Sequence, residues 1–453
     1  MGLLFSPTVS RLVLCSLAAC LLFLPNALLP LDPFIGKGIG LLSAIALLWL
    51  TEALHVTITA LLVPILASLL GVLSLPDSLL HFANPVLFLF MGGFALAAAL
   101  HAQQLDRYLA ESVILLSGGK LSRAVWLLFA VTAFMSMWIS NTATVAIMLP
   151  LALGLLASME EKSANTATFI LLGVAYSANL GGMGSLVGSP PNAIAAAYSG
   201  MDFMGWLRWG LPVMLILLPL SWLILYLLLR PALHQPIQGR THEWHWSLPR
   251  CATLLLFALI VMLWLFSSPL GKWLGNFAQF DSLVALVAMV LVGGSGLASW
   301  KQIETQTEWG VLLLFGGGLC LSAALQQSGA SLFLARELLA LLDGVSSWWI
   351  VLAIATFVVF LTELASNTAT AALMVPLFGS MAGLLGVDPQ MMAVLVALAA
   401  SCAFMLPVAT PPNAMVFATG RVPQRQMIRV GLVLNLCCSL LLAPLVYWPR
   451  LFD

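Results

Sequence analysis

Ser140-Asn141-Thr142-Ala143-Thr144 recurs as Ser366-Asn367-Thr368-Ala369-Thr370 in a chain of 453 residues that is 62% hydrophobic. Each copy reaches a proline ten residues after its serine, at Pro150 and Pro376. Each is followed some fifty residues later by a second matched element, Ser189-Pro190-Pro191-Asn192-Ala193 and Thr410-Pro411-Pro412-Asn413-Ala414. Two duplicated polar elements in otherwise apolar sequence predict two halves of one buried site, an arrangement that points to a transporter.

The surrounding composition sets the class. Mean hydropathy is +1.07 and only 8% of residues are charged. Apolar stretches of about twenty residues, each long enough to cross the hydrocarbon core as a helix, recur from end to end. The chain therefore reads as an all-α polytopic membrane protein. Eleven spans are expected, at 12–31, 39–51, 53–73, 85–105, 167–186, 207–231, 251–270, 280–300, 308–328, 391–409 and 428–448. The first follows Arg11 and is read as a span, because more membrane sequence rather than a soluble domain comes after it. A formal charge of zero leaves no nucleic-acid footprint. The seven cysteines lack metal-ligand spacing and read as small packing residues.

Two further apolar stretches, 123–157 and 347–385, carry the Ser-Asn-Thr motifs near their middles. A straight helix would hold Asn141 or Asn367 deep in lipid, where an unsatisfied amide is costly. Both stretches are predicted to be re-entrant hairpins with the motifs at their tips. With a cytoplasmic N-terminus, the 17 Lys and Arg residues divide twelve to five in favour of the cytoplasm, with Lys37, Arg208, Lys272, Arg336 and Arg450 on the far side. The duplication also extends outward: Leu89-Phe90-Met91-Gly92-Gly93 matches Leu314-Phe315-Gly316-Gly317-Gly318, offset by 225 where the Ser-Asn-Thr copies are offset by 226. An odd number of spans lies between the copies, so the repeats are expected to be inverted, as in many secondary transporters. The polar connector 232–250 separates the halves; its histidines (His234, His242, His245) lack the context of a metal site.

A break between half-helices exposes N–H groups at one end, which attract anions, and carbonyls at the other, which can coordinate a small cation. Ser, Asn and Thr can serve either ion without a fixed charge. The Pro-Pro pairs are expected to stop helices and hold turns open opposite the tips, with Gly181, Gly182, Gly184 and Gly188 allowing close backbone approach. From Ala124 to Ser158 there is no Asp, Glu, Lys or Arg. An anion held there would need co-bound cations, which favours sodium over proton coupling. Glu363 is either a proton or cation site or, as favoured here, a brace for the second hairpin. Glu52 and His55 are expected to form a similar brace. Trp206, Trp209, Trp348 and Trp349 are expected to anchor span ends at the interface. No His/Asp/Glu constellation of an enzyme is present.

At these residues the chain resembles the divalent anion/sodium symporter (DASS) family, and within it the bacterial INDY-type dicarboxylate transporters. The resemblance also takes in Trp49-Leu50-Thr51-Glu52-Ala53-Leu54-His55 and the segment from Phe90 to Leu100. It implies a homodimer in the bacterial inner membrane, each protomer with scaffold and transport domains, the latter moving as an elevator. The implied division is 1–122 scaffold and 123–232 transport in the first repeat, then 233–344 linker and scaffold and 345–453 transport in the second. The resemblance implies one sodium site at Ser136, Ser140, Asn141 and Gly188, and a second at Thr362, Ala365, Asn367 and Ala409. Substrate carboxylates would meet Asn141, Thr142 and Ser189 on one side, and Asn367, Thr368, Thr410 and Pro411 on the other. The leading expectation is sodium-coupled uptake of C4-dicarboxylates such as succinate, fumarate or malate, with citrate as a further candidate substrate. An exchanger of di- or tricarboxylates, a sulfate carrier and a passive anion channel stay open as alternatives.

Overall fold

The structure, a computed structural model, describes residues 7–28, 30–159, 163–236, 245–275, 277, 279–341 and 344–446. Lys162, Arg240, His242 and Arg450, which enter the charge and linker readings, lie outside them. The described secondary structure is helical, apart from one isolated bridge between Lys120 and Pro236.

Among the described residues, eight helices are long and apolar enough to cross a membrane. Seven coincide with expected spans; the eighth, Asn367–Leu385, is the second arm of the second motif segment. The other four expected spans are shortened for visible reasons. Val56–Leu69 has 14 residues and Phe280–Gly294 has 15, and each is followed by a glycine at positive φ, Gly71 at 68° and Gly296 at 74°. That conformation ends a helix and favours a residue without a Cβ. Ala164–Gly181 and Pro389–Ala400 stop inside their expected spans, giving way to non-helical turns and then to the short helices Pro190–Ser199 and Pro411–Ala418.

Here the structure corrects the reading of the proline pairs. They begin helices rather than stop them, occupying the first two helical positions, where the missing N–H has no intrahelical partner to lose. The open turns precede them, at 182–189 and 401–410.

The repeat extends to the helices that flank the motifs. Helices Val56–Leu69, Pro85–Ala102, Leu121–Ser136 and Asn141–Ala157 have counterparts at Phe280–Gly294, Trp309–Gln327, Ser347–Leu361 and Asn367–Met381, starting 224, 224, 226 and 226 residues later (280−56, 309−85, 347−121, 367−141). Their packing is crossed: Pro85–Ala102 lies against Phe280–Gly294, and Trp309–Gln327 against Val56–Leu69. The repeated glycines are the contact points. A Cβ on Gly92 would lie 2.5 Å from the Cβ and carbonyl oxygen of Ala285; one on Gly317 would lie 2.7 Å from those of Ala60. Gly92 and Gly317, like Ala60 and Ala285, are 225 apart. Small residues of this kind let apolar helices approach to backbone contact where water supplies no driving force. The same exchange joins Pro190–Ser199 to Pro389–Ala400 and Pro411–Ala418 to Ala164–Gly181.

Each motif segment is two helical arms around a short tip, Leu121–Ser136 with Asn141–Ala157, and Ser347–Leu361 with Asn367–Met381. Trp348 and Trp349 are partly exposed, whereas Trp206 is fully buried and Trp209 nearly so. Trp206 is therefore no interfacial anchor: its indole N–H donates to the Met183 carbonyl at 3.0 Å, supporting the turn at 182–189. Cys320, Cys402 and Cys438 are buried, Cys20 and Cys251 are exposed, and all seven cysteines are free.

Candidate functional site

Each tip presents its asparagine as the first residue of the second arm, behind a serine at the N-cap. The main-chain N–H groups that begin these arms have no intrahelical acceptor and form anion-attracting ends. Ser140 Oγ accepts from Ala143 N at 3.4 Å; Ser366 makes no such cap.

Behind each tip lies a cluster of three oxygens. Ser136 Oγ is 2.6 Å from Asn141 Oδ1 and 2.8 Å from the Ala178 carbonyl. Thr362 Oγ1 is 2.7 Å from Asn367 Oδ1 and 2.7 Å from the Ala400 carbonyl. A hydroxyl carries one proton and cannot donate to both neighbours at once. Each cluster thus holds more acceptors than protons, a donor set suited to a small hard cation. The glycines around the first cluster leave no room for side chains. A Cβ at Gly182 would lie 2.4 Å from Asn141 Oδ1, and one at Gly188 would lie 2.6 Å from the Gly182 carbonyl and 2.9 Å from that of Ser136.

The turns opposite the tips are tied by the asparagines of the Pro-Pro-Asn elements. Asn192 Nδ2 donates to the carbonyls of Gly182 at 2.8 Å and Ser185 at 2.7 Å. Asn413 Nδ2 does the same to Ala403 at 3.0 Å and Leu406 at 3.1 Å. Asn179 crosses between the halves, donating to Thr410 Oγ1 at 3.2 Å. The first turn is also held by Ser185 Oγ, which donates to the Met137 carbonyl at 2.5 Å. At the corresponding place the second half uses Glu363. Its carboxylate accepts from the main-chain N–H groups of Phe404, Met405 and Leu406 at 2.6, 2.8 and 2.9 Å, and from Asn435 Nδ2 at 2.7 Å. Glu363 is a brace, as its position before Ser366 suggested.

The tips and turns enclose one cavity of about 550 Å³. Its wall includes Asn141, Thr142 and Ser189 from the first half and Asn367, Thr368, Thr410 and Pro411 from the second. Ser140, Gly188, Ala365 and Ala409 line it too, while Ser136 and Thr362 are fully buried in the oxygen clusters behind it. All the residues expected to form the site are thus brought together. The expectation of charge-free surroundings is corrected. Glu52 and Glu308 reach the cavity from outside the hairpins, and Glu308 lines it together with Ser140. The expected Glu52–His55 brace is replaced by separate roles: His55 caps the next helix through Thr57 N at 3.3 Å, and Glu52 faces the cavity. Asn192 and Asn413 were readable as parts of a repeated motif. Glu308 carried no local signal, because nothing near it in sequence marks it as a neighbour of residue 140.

A cavity built from duplicated, broken helices inside an all-helical membrane chain defines a secondary transporter. Comparison with known proteins places the chain more closely. Residues 46–399 match the citrate transporter family CitMHS, and the chain belongs to it. It is 50% identical over 435 residues to a Haemophilus influenzae protein named only as an uncharacterized transporter, with 94% of each chain covered. It is 33% identical to the sodium-dependent dicarboxylate transporter SdcS of Staphylococcus saprophyticus, over 98% of this chain and 92% of that one, consistent with the divalent anion/sodium symporter resemblance. In fold it is similar to the YdaH transporter of Alcanivorax borkumensis, with a TM-score of 0.59 at 17% identity and 98% of each chain covered.

Proposed function

We propose that the protein is a sodium-coupled symporter of C4-dicarboxylates such as succinate, fumarate and malate. The observation that carries this reading is the pair of two-fold related oxygen clusters, Ser136/Asn141/Ala178 and Thr362/Asn367/Ala400, beside tips that offer amides and hydroxyls to one cavity. In the proposal each asparagine has two faces. Its amide oxygen joins a sodium ion, with Ser136, Ser140 and Gly188 on one side and Thr362, Ala365 and Ala409 on the other. The N–H groups and hydroxyls of Asn141, Thr142, Ser189, Asn367, Thr368, Thr410 and Pro411's turn meet the substrate carboxylates. Among the described residues the cavity wall includes no Lys, Arg or His, so the bound sodium ions supply the positive charge that offsets a dianion. The sodium-dependent relative named above supports the choice of ion and substrate class.

The same reading assigns 123–232 and 345–453 to a transport domain, with 1–122 and 233–344 as linker and scaffold, in a homodimer of a bacterial inner membrane. Glu52, Glu308 and Val311 on the cavity wall support a site at the boundary of the two domains, as an elevator requires. The test is uptake of labelled succinate into proteoliposomes with and without an inward sodium gradient. Saturable, sodium-driven uptake is expected, with Asn141→Ala and Asn367→Ala each abolishing it in folded protein. Uptake that ignored sodium and needed internal dicarboxylate would replace symport by exchange. Uptake linear in substrate would replace it by a channel.

A further inference from the structure

Both acidic residues of the cavity come from outside the two motif hairpins. Glu308 immediately precedes the helix Trp309–Gln327, a helix N-terminus being a place that stabilises negative charge. Glu308 lines the cavity together with Ser140, the residue that caps the first tip's second arm. Glu52 takes a left-handed backbone conformation, φ 48° and ψ 31°, at the end of Pro33–Thr51 and lines the same cavity. In the repeat, the residue that likewise precedes the matching helix Pro85–Ala102 is Asn84, and Asn84 does not line this cavity. Glu308 therefore adds negative charge, without an acidic counterpart at the matching cap, to a site whose two Ser-Asn-Thr motifs carry no charged residue. Size does not explain it. A cavity of about 550 Å³ is in the ordinary range for small ligands, about 300–1,000 Å³, and has room for a tricarboxylate as well as a dicarboxylate.

We propose that Glu308, with Glu52, is a charge filter that admits dianions and turns away trianions of the same shape. The proposal rests on the reading of the cavity as a carboxylate site. A sphere of that volume is about 10 Å across. At that distance and an effective dielectric of about 20, one extra unit charge on the substrate is disfavoured by each glutamate on the order of tenfold. The sodium ions offset a dianion and leave the third charge uncompensated against these carboxylates.

The test uses full-length protein in proteoliposomes, with labelled succinate uptake competed by three compounds. These are unlabelled succinate, tricarballylate as a trianion, and the monoamide of tricarballylate, nearly the same size but a dianion. In wild type, tricarballylate should compete at least about tenfold more weakly than its monoamide. Glu308→Gln should narrow that ratio on the order of tenfold, Glu52→Gln should narrow it in the same direction, and Glu308→Asp should preserve it. The readout is the ratio, so a general loss of uptake rate does not imitate the result. Equal exclusion of the trianion and its monoamide in wild type would mean that shape discriminates and would overturn the filter. An unchanged ratio in Glu308→Gln, or a change confined to sodium dependence, would also overturn it. If wild type takes up no succinate the carboxylate reading falls with the filter; if it does and the ratio stays fixed, the filter falls alone.

Discussion

Glu363 offers the sharpest test of how the site is held. Its two carboxylate oxygens accept four donors: three successive main-chain N–H groups of the turn at 404–406 and the Asn435 amide. The residue is 3% exposed, so these donors have little access to bulk water. Glu363→Ala would leave all four without their acceptor. At about 1–3 kcal/mol for each buried donor left unpaired, the three main-chain groups alone set a scale of ~3–9 kcal/mol, and water entering the vacated space brings the expectation to about 3–5 kcal/mol. Glu363→Gln keeps one acceptor oxygen but turns an NH₂ toward a donor, for a loss of about 1–3 kcal/mol. Thermal unfolding of purified protein should therefore rank wild type above Glu363→Gln above Glu363→Ala, with sodium-driven succinate uptake falling in the same order. The turn carries Ala409 and Thr410, so its loosening removes the second half of the site first. An Ala variant that melted within a degree of wild type would refute the brace. A Gln variant of normal stability whose uptake had lost its dependence on pH would do so as well, and would make Glu363 a proton carrier.

Other outcomes follow from the same geometry. Gly188→Ala sets a Cβ 2.6 Å from the Gly182 carbonyl and 2.9 Å from that of Ser136, so the apparent sodium affinity of uptake should fall at least about tenfold, equivalent to ~1.4 kcal/mol. Sodium titration of uptake checks this, and an unchanged affinity would remove Gly188 from the first cluster. Asn192→Ala and Asn413→Ala each release two turn carbonyls, which should lower stability by about 1–3 kcal/mol apiece, read as the melting temperature. Gly92→Leu and Gly317→Leu overlap Ala285 and Ala60 across the crossed contact. Both should destabilise by at least ~1–3 kcal/mol, to a similar extent; a harmless substitution at only one of them would break the two-fold relation there.

Much of the architecture was legible because it is local or repeated. Hydropathy alone sets the class, since helical segments of this length and apolarity have few stable environments other than a bilayer. The spacing of the duplicated elements predicted that both tips and both turns serve one site, because two copies of one unit fold alike; the individual site residues came from the family resemblance. The failures have physical causes too. Hydropathy cannot locate where a helix ends within an apolar run, so Val56–Leu69 and Phe280–Gly294 came out short of their expected spans. The proline pairs were assigned to helix stops because the ring forbids an interior position, whereas the first turn of a helix tolerates it.

The sequence by itself determined that two polar tips lie inside a membrane-spanning, duplicated helical chain, since a solitary amide in lipid demands a partner and the repeat names it. Only the tertiary structure decided what surrounds those tips. The crossed packing of the halves, set by Gly92 on Ala285 and Gly317 on Ala60, brings Glu308 into the cavity that Ser140 lines, across 168 residues (308−140) of chain. Within the second half, the return of the chain along Pro389–Ala400 brings the turn amides of 404–406 to Glu363. A charge acts through space rather than along the chain, so the segment free of acids in sequence is not free of them in the folded protein.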